Sequence, residues 1–275
     1  MTAILRWPTA WNHRDSNLGE IVSAQEFFTP VAFDLLWEEA GVGELPYPLS
    51  VPSHGASEDE RAALRRRVHT ELAARNIDAS PVGDWLRVLA RPSVSIDALH
   101  IPEFRQQPVS ALAAADGAQA VLAVQNADGI WLRSAYADGL ASAIVDLLPS
   151  AARGTEASIT LPLDSALRIA PARSGAAESP RKRGGLADRA HDPAEAYAQL
   201  IAQPRLRGGQ LAANSRDELG SKRRSAVLAW FDTASGRYLS LSRTGPDGRE
   251  WVTVAPADAK TLRNRLGELL SEVTR

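Results

Sequence analysis

Cysteine is absent from all 275 residues, which excludes disulfides, cysteine-ligated zinc and thiol nucleophiles. Lysine is scarce: Lys182, Lys222 and Lys260 stand against 31 lysines and arginines together. With the abundant alanine, that points to a GC-rich genome, a statement about codons and not about chemistry. No charge of one sign dominates. The net charge is −2 and the pI about 6.2, so neither the basic footprint of a nucleic-acid binder nor a polybasic membrane anchor is expected. Long apolar runs are missing too; the longest have about eight residues, where a membrane-spanning helix needs about 20. The opening MTAILRWPTAWNHRDSN carries neither an apolar core nor a cleavage site of the secretory kind. These features predict a cytoplasmic protein without membrane insertion.

Catalytic signatures are equally thin. His13, His54, His69, His100 and His191 never fall three or four apart on one predicted helix, and HExxH is absent. There is no nucleophile elbow and no P-loop. Gly41-Val-Gly43 follows a helix and not a strand, so it reads as a helix stop rather than a dinucleotide loop. The acid pairs Glu38–Glu39 and Asp59–Glu60 are sequence neighbours on helices and do not face each other. No enzyme, metal or cofactor is expected on these grounds.

What is present is an α+β pattern. Thr29 as cap, Pro30 at the first helical position and Gly41 as stop frame a helix with the apolar stripe Phe33, Leu36, Trp37 and Ala40. Ser57–Glu60 reads as a capping box opening a second helix to about Arg75, closed by Asn76. A third helix at about Pro81–Ala90 ends at Arg91-Pro92. Strands are predicted at Glu20–Phe28, Val94–Ile101, Ala118–Gln125 and Ile130–Ala135, the last two joined by the hairpin signal Asn126–Gly129. Glu103–Asp116 reads as a loop with a helical turn. A helix at Asp138–Leu148, a strand at Glu156–Leu161 and a helical turn at Pro162–Ile169 follow. Residues 171–191 are poor in large apolar groups and read as a mobile linker. Beyond it come a helix at Pro193–Ala202, strands at about Gly209–Ala213, Ala226–Asp232, Arg237–Ser242 and Glu250–Val254, and a final amphipathic helix at Pro256–Val273.

A weak duplication runs through this order. Trp85 to Pro92 matches Tyr197 to Pro204, Ala120–Ala123 matches Ala226–Ala229, and Trp131, Ala135, Ala137 and Asp138 match Trp251, Ala255, Ala257 and Asp258. Two related halves, about 80–150 and 192–273, would then share one core in a single domain over 19–275, behind a flexible leader at 1–18. The predicted architecture is a central, mainly antiparallel sheet with helical bundles and a quasi-two-fold relation between halves.

The strands of the second half suggest a partner-binding face. Trp230, Tyr238 and Trp251 sit on them, with Ser240 and Ser242 sharing the face of Tyr238. A face mixing aromatics and hydroxyls suits a protein interface; burial under a second layer of helices is the alternative. On the first reading Trp230, Tyr238 and Trp251 are anchors, and Lys222, Arg223 and Arg224 form a basic rim.

The segments FDLLWEEAGVGELPYPL at 33–49, SEDERAALRRRV at 57–68, LARP at 89–92, AVLAV at 120–124, and AWFDTASGRYLSLSR with REWVTVAPAD at 229–258 together resemble, in order and spacing, the EspG family of ESX (type VII) secretion proteins. The resemblance runs from about residue 25 to the C-terminus. It implies a non-enzymatic cytoplasmic chaperone of actinobacteria that holds the helical tip of an exported PE–PPE heterodimer, keeps it soluble and marks it for export. An exposed apolar tip is an aggregation hazard that a reversible cap would block. A small-molecule-binding or enzymatic α+β protein is the alternative function, and self-association through the same face an alternative use of the surface.

Overall fold

A computed structural model describes residues 25–77, 79–103, 106–169 and 192–275. The leader at 1–18 and the linker at 171–191 lie outside the described residues, as does the first part of the strand expected at Glu20–Phe28.

The described residues begin with β1 (Gln25–Phe28) and three helices, α1 (Pro30–Ala40), α2 (Glu58–Ala74) and α3 (Ala79–Ala90). The start signals work as their chemistry dictates. Thr29 Oγ1 accepts from the Ala32 amide, and Gly41 closes α1 at φ +62°. Ser57 Oγ accepts from the Glu60 amide, while the Glu60 carboxylate reaches back to the amide of Ala56, one residue before the cap. Thr29→Ala is expected to lower stability by about 1 kcal/mol, read as a lower urea midpoint at unchanged m-value.

Four antiparallel strands follow: β2 (Val94–Ile101), β3 (Val109–Asp116), β4 (Gln119–Gln125) and β5 (Ile130–Ser134). β3 replaces the loop expected over its span. Its core, ALAAA, has weak strand propensity, but every one of those residues is buried between helices on both sheet faces, and packing overrides propensity. After α4 (Leu140–Val145) come β6 (Ile159–Pro162), α5 (Leu163–Ile169) and α6 (Pro193–Ile201). The second half continues with β7 (Arg207–Arg216), β8 (Lys222–Arg224), β9 (Leu228–Thr233), β10 (Gly236–Thr244), β11 (Glu250–Pro256) and α7 (Ala259–Thr274).

All described strands join one sheet in the order β1-β5-β4-β3-β2-β7-β9-β10-β11-β6, with β8 paired to β7. Outward from the central β2–β7 pair, one side runs β2, β3, β4, β5 and then the short β1, and the other, with β8 set aside, runs β7, β9, β10, β11 and then the short β6. Strand order is therefore mirrored. A duplicated sequence is a separate matter, and one match offered for it fails: Ala120–Ala123 lies on β4, third from the centre, whereas Ala226–Ala229 leads into β9, second from the centre.

One sheet face carries a continuous core. Ile96, Ala98, Leu122, Leu211, Leu228, Trp230, Leu239 and Leu241 pack under α4 and α7, which span both halves. The opposite face carries two separate clusters. α1, α2 and α3 cover Leu112, Ala114, Val121, Ala123, Ile130 and Leu132; α5 and α6 cover Phe231, Tyr238, Val252, Val254, Ile159 and Leu161.

Candidate functional site

Between those two helix groups the sheet lies open. Register places Leu99 and Ile101 of β2, Gln210 and Ala212 of β7, Ala229 of β9, and Ser240 and Ser242 of β10 on one face. By strand alternation Leu206 and Val227, just outside β7 and β9, point to the same side. Ile101, Leu206 and Val227 are 44%, 49% and 42% exposed, and Leu99, Ala229, Ser240 and Ser242 are half-buried. The composition explains the opening. Gly208, Ala212, Ala229 and the serines are too small to build ridges on which a helix would pack, and Gln210 prefers water. The result is a trough with a mixed aliphatic and hydroxyl floor.

One end of the trough is polar. Asp97 and Ser95 of β2 share its face and are buried. Arg224 of β8 lies over Asp97, with Nη1–Oδ2 at 2.5 Å and Nη2–Oδ1 at 3.0 Å, and its guanidinium pKa is raised, first by that hydrogen-bonded carboxylate. Lys222 and Arg223 are exposed. Register puts Lys222 on the trough side and Arg223 on the other, beside Ser215, whose hydroxyl donates to Val273 at the end of α7.

The aromatic anchors expected from the sequence are not on this surface, and two of them need correction. Trp230 is 1% exposed and belongs to the continuous core, with the Arg237 guanidinium 4.6 Å from its ring centre. Tyr238 is 0% exposed; its hydroxyl accepts from the amides of Thr155 and Glu156 and shares a hydrogen bond with Ser235. Neither presents area to a partner. Trp251 is half-buried but shares the face of Leu241 and Thr253, opposite the trough, and lies beside Arg249 near the β10–β11 turn. The hydroxyls of the expected mixed face do line the trough, while Tyr238 and Phe231 sit beneath α5 and α6. The residues that sequence reasoning missed are Leu99, Ile101, Leu206, Gln210, Val227 and Ala229. Their signal is alternation on β2 and β7, which places Ser95-x-Asp97-x-Leu99 and Gln210-x-Ala212-x-Asn214 opposite purely apolar or small positions.

Behind the floor, on the face under α4 and α7, lies a polar cluster that is buried except for the edge of Arg207. Asp232 accepts from Arg237 Nε at 2.7 Å and Nη2 at 2.9 Å, and Arg207 Nε lies 2.8 Å from Oδ2, the oxygen that Nη2 also bonds. Arg237 also donates to the Pro149 carbonyl at 2.6 Å. His100 lies 6.2 Å from Trp230, centre to centre, and its pKa is pushed down to about 4, first by burial and then by Arg237. Among the described residues no cluster of acids and histidines suits a metal, and no helix is long and apolar enough to cross a membrane.

Comparison with known proteins places this geometry. A model of the EspG family matches residues 29–268. No curated protein matches the sequence. Among solved structures, the fold is similar to that of the Mycobacterium tuberculosis type VII secretion system chaperone EspG5, determined in complex with the PE25–PPE41 dimer. The TM-score is 0.64 at 17% identity, over 90% of this chain and 96% of that one.

Proposed function

Because the chain belongs to the EspG family, we propose that it is a chaperone of a type VII secretion system, holding the helical tip of a PE–PPE-type dimer so that the dimer stays soluble and is targeted for export. It acts in the cytoplasm and catalyses no reaction. The observation that carries the reading is the open trough. A solvent-facing strip with aliphatic Leu99, Ile101, Leu206 and Val227 is an unsaturated apolar surface on an otherwise closed sheet, of the kind that marks a protein-binding site. Its flat, small-residue floor suits the rounded end of a helical hairpin better than a side-chain-deep ligand. Lys222 supplies a cation at its rim, while Arg223 and Trp251 face the other side of the sheet and are left for contacts beyond the trough.

Co-expression with PE–PPE-like pairs encoded beside the gene tests this. A soluble ternary complex is expected from one of them. Ala229→Arg, which raises a charged stem from the middle of the floor, is expected to weaken capture by at least about 1.4 kcal/mol, or tenfold, at unchanged melting temperature. If no neighbouring pair is captured by the unaltered protein, the reading fails.

A further inference from the structure

Arg224 stands apart from the other cations of β8 because it is already committed on both sides. Toward the sheet, its guanidinium grips the buried Asp97 carboxylate with two hydrogen bonds and donates to Asn214 Oδ1 at 2.9 Å. Asn214 in turn donates to Asp97 Oδ2 at 2.8 Å and lies 3.5 Å from Ser95 Oγ. Away from the sheet, the guanidinium lies 5.5 Å from the ring centre of Tyr47. Tyr47 belongs to the connection between α1 and α2, which is otherwise fastened to the sheet by a reciprocal pair: the Ser50 amide donates to Gln125 Oε1 at 2.9 Å, and Gln125 Nε2 to the Ser50 carbonyl at 2.5 Å. Thus β2, β7, β8 and the connection beside the first helix group meet at one side chain.

We propose, on the chaperone reading given above, that Arg224 is a positioning residue: it straps the α1–α2 connection across the polar end of the trough and fixes how wide that end stands for the client. The chemistry requires arginine. A planar guanidinium engages a carboxylate through two parallel bonds while offering its face to an aromatic ring; an ammonium is a compact point charge without such a face. Removing it would leave Asp97 as a buried carboxylate with Asn214 as its remaining partner, so the strap is held shut by the burial of its own counter-ion. The client then meets the outer side of Tyr47, which is 59% exposed, with Lys222 on the same face of β8 as Arg224, while Arg224 acts through Tyr47 and not by direct contact.

Amide hydrogen exchange on the full chain without any client tests the strap. Two protected reporters exist on its two sides: the amides of Leu49 and Ser50, bonded to the Pro46 carbonyl and to Gln125, and the amide of Ser225, bonded to the Ala213 carbonyl. Arg224→Ala is expected to speed exchange on both sides by about tenfold or more, leaving the α7 amides unchanged. Arg224→Lys keeps a charge for Asp97 but loses the face for Tyr47. It is expected to restore protection at Ser225 and not at Leu49 and Ser50, a split that a merely structural cation would not give. Tyr47→Ala is expected to loosen the same two amides alone. Unchanged exchange at Leu49 and Ser50 in both Arg224 variants, or a uniform rise that includes α7, would overturn the proposal. If Arg224→Ala does not fold, the lysine and Tyr47 variants carry the test. Because no client enters, a failed strap leaves the chaperone reading standing, and failed client capture leaves the strap standing.

Discussion

Asp232→Ala is expected to destabilise the protein by about 3–5 kcal/mol, the range for breaking a buried ion pair from one side. Asp232 and Arg237 are each about 2% exposed. The carboxylate takes two hydrogen bonds from Arg237 and forms a second ion pair with Arg207 at Oδ2. Without it Arg237 keeps the Pro149 carbonyl and the face of Trp230 but is buried with no counter-charge, and Arg207 is left near it with the same sign. Arg207 is partly exposed and can turn to water; Arg237 cannot. The double variant Asp232→Leu with Arg237→Met should recover most of the loss, because an apolar pair of similar volume removes the desolvation penalty along with the attraction. Urea titration of the three proteins decides it. A loss below about 1 kcal/mol for Asp232→Ala, or a double variant no better than the single, would mean the pair is not the buried unit described.

The parts of this molecule that were legible in the sequence are those whose signals are local. Thr29-Pro30 and Gly41 framed α1 because capping and left-handed closure involve residues within a few positions of one another. Asn126–Gly129 announced the β4–β5 hairpin for the same reason, with the Asn126 amide bonded to the Gly129 carbonyl. β3 was hidden because five small residues have no strand preference of their own; only the helices on both sides make them a strand. The open strip escaped notice for a subtler reason. Alternation tells which residues share a face within one strand and says nothing about which faces of different strands coincide. Tyr238, Ser240 and Ser242 do share a face, but register sets them beside Val252 and Val254, and sets Trp230 beside Leu239. Large aromatics on strands of a sheet covered by helices on both faces are then drawn under those helices, where their area is worth most, and the open strip is left to residues too modest to attract notice: Gln210, Ala229 and two serines. Family-level order and spacing located the fold because they integrate many such weak local signals at once. The residues of the open strip carry no such repetition and became visible only through register.

His100 makes acid stability the second large expected effect. It sits on β2 against Trp230 with 4% exposure, and the charges facing it from neighbouring strands are Arg237 of β10 and, around the same cluster, Arg207 of β7 and Asp232 of β9. Burial, and then Arg237, lower its pKa from 6.5 to about 4. The folded protein therefore refuses a proton that the unfolded chain accepts. Above pH 6.5 both states hold a neutral ring and His100 adds no pH dependence. As pH falls from 6.5 toward 4 the unfolded state gains the proton first, and stability drops by up to about 3 kcal/mol before the folded ring is protonated as well. Carboxylates with lowered pKa, such as Asp258 at the α7 cap and Asp164 beside Arg249, also lose stabilising charge in acid, but through lower pH. The measurement must therefore compare variants and not read one curve. His100→Gln, whose side chain does not titrate, should flatten the stability profile between pH 6.5 and 4 by about 3 kcal/mol and leave the steeper fall below pH 4 in place. Parallel profiles for the two proteins would show that His100 reaches water or a partner for its proton, and would remove the buried polar cluster behind the trough from the account of this fold.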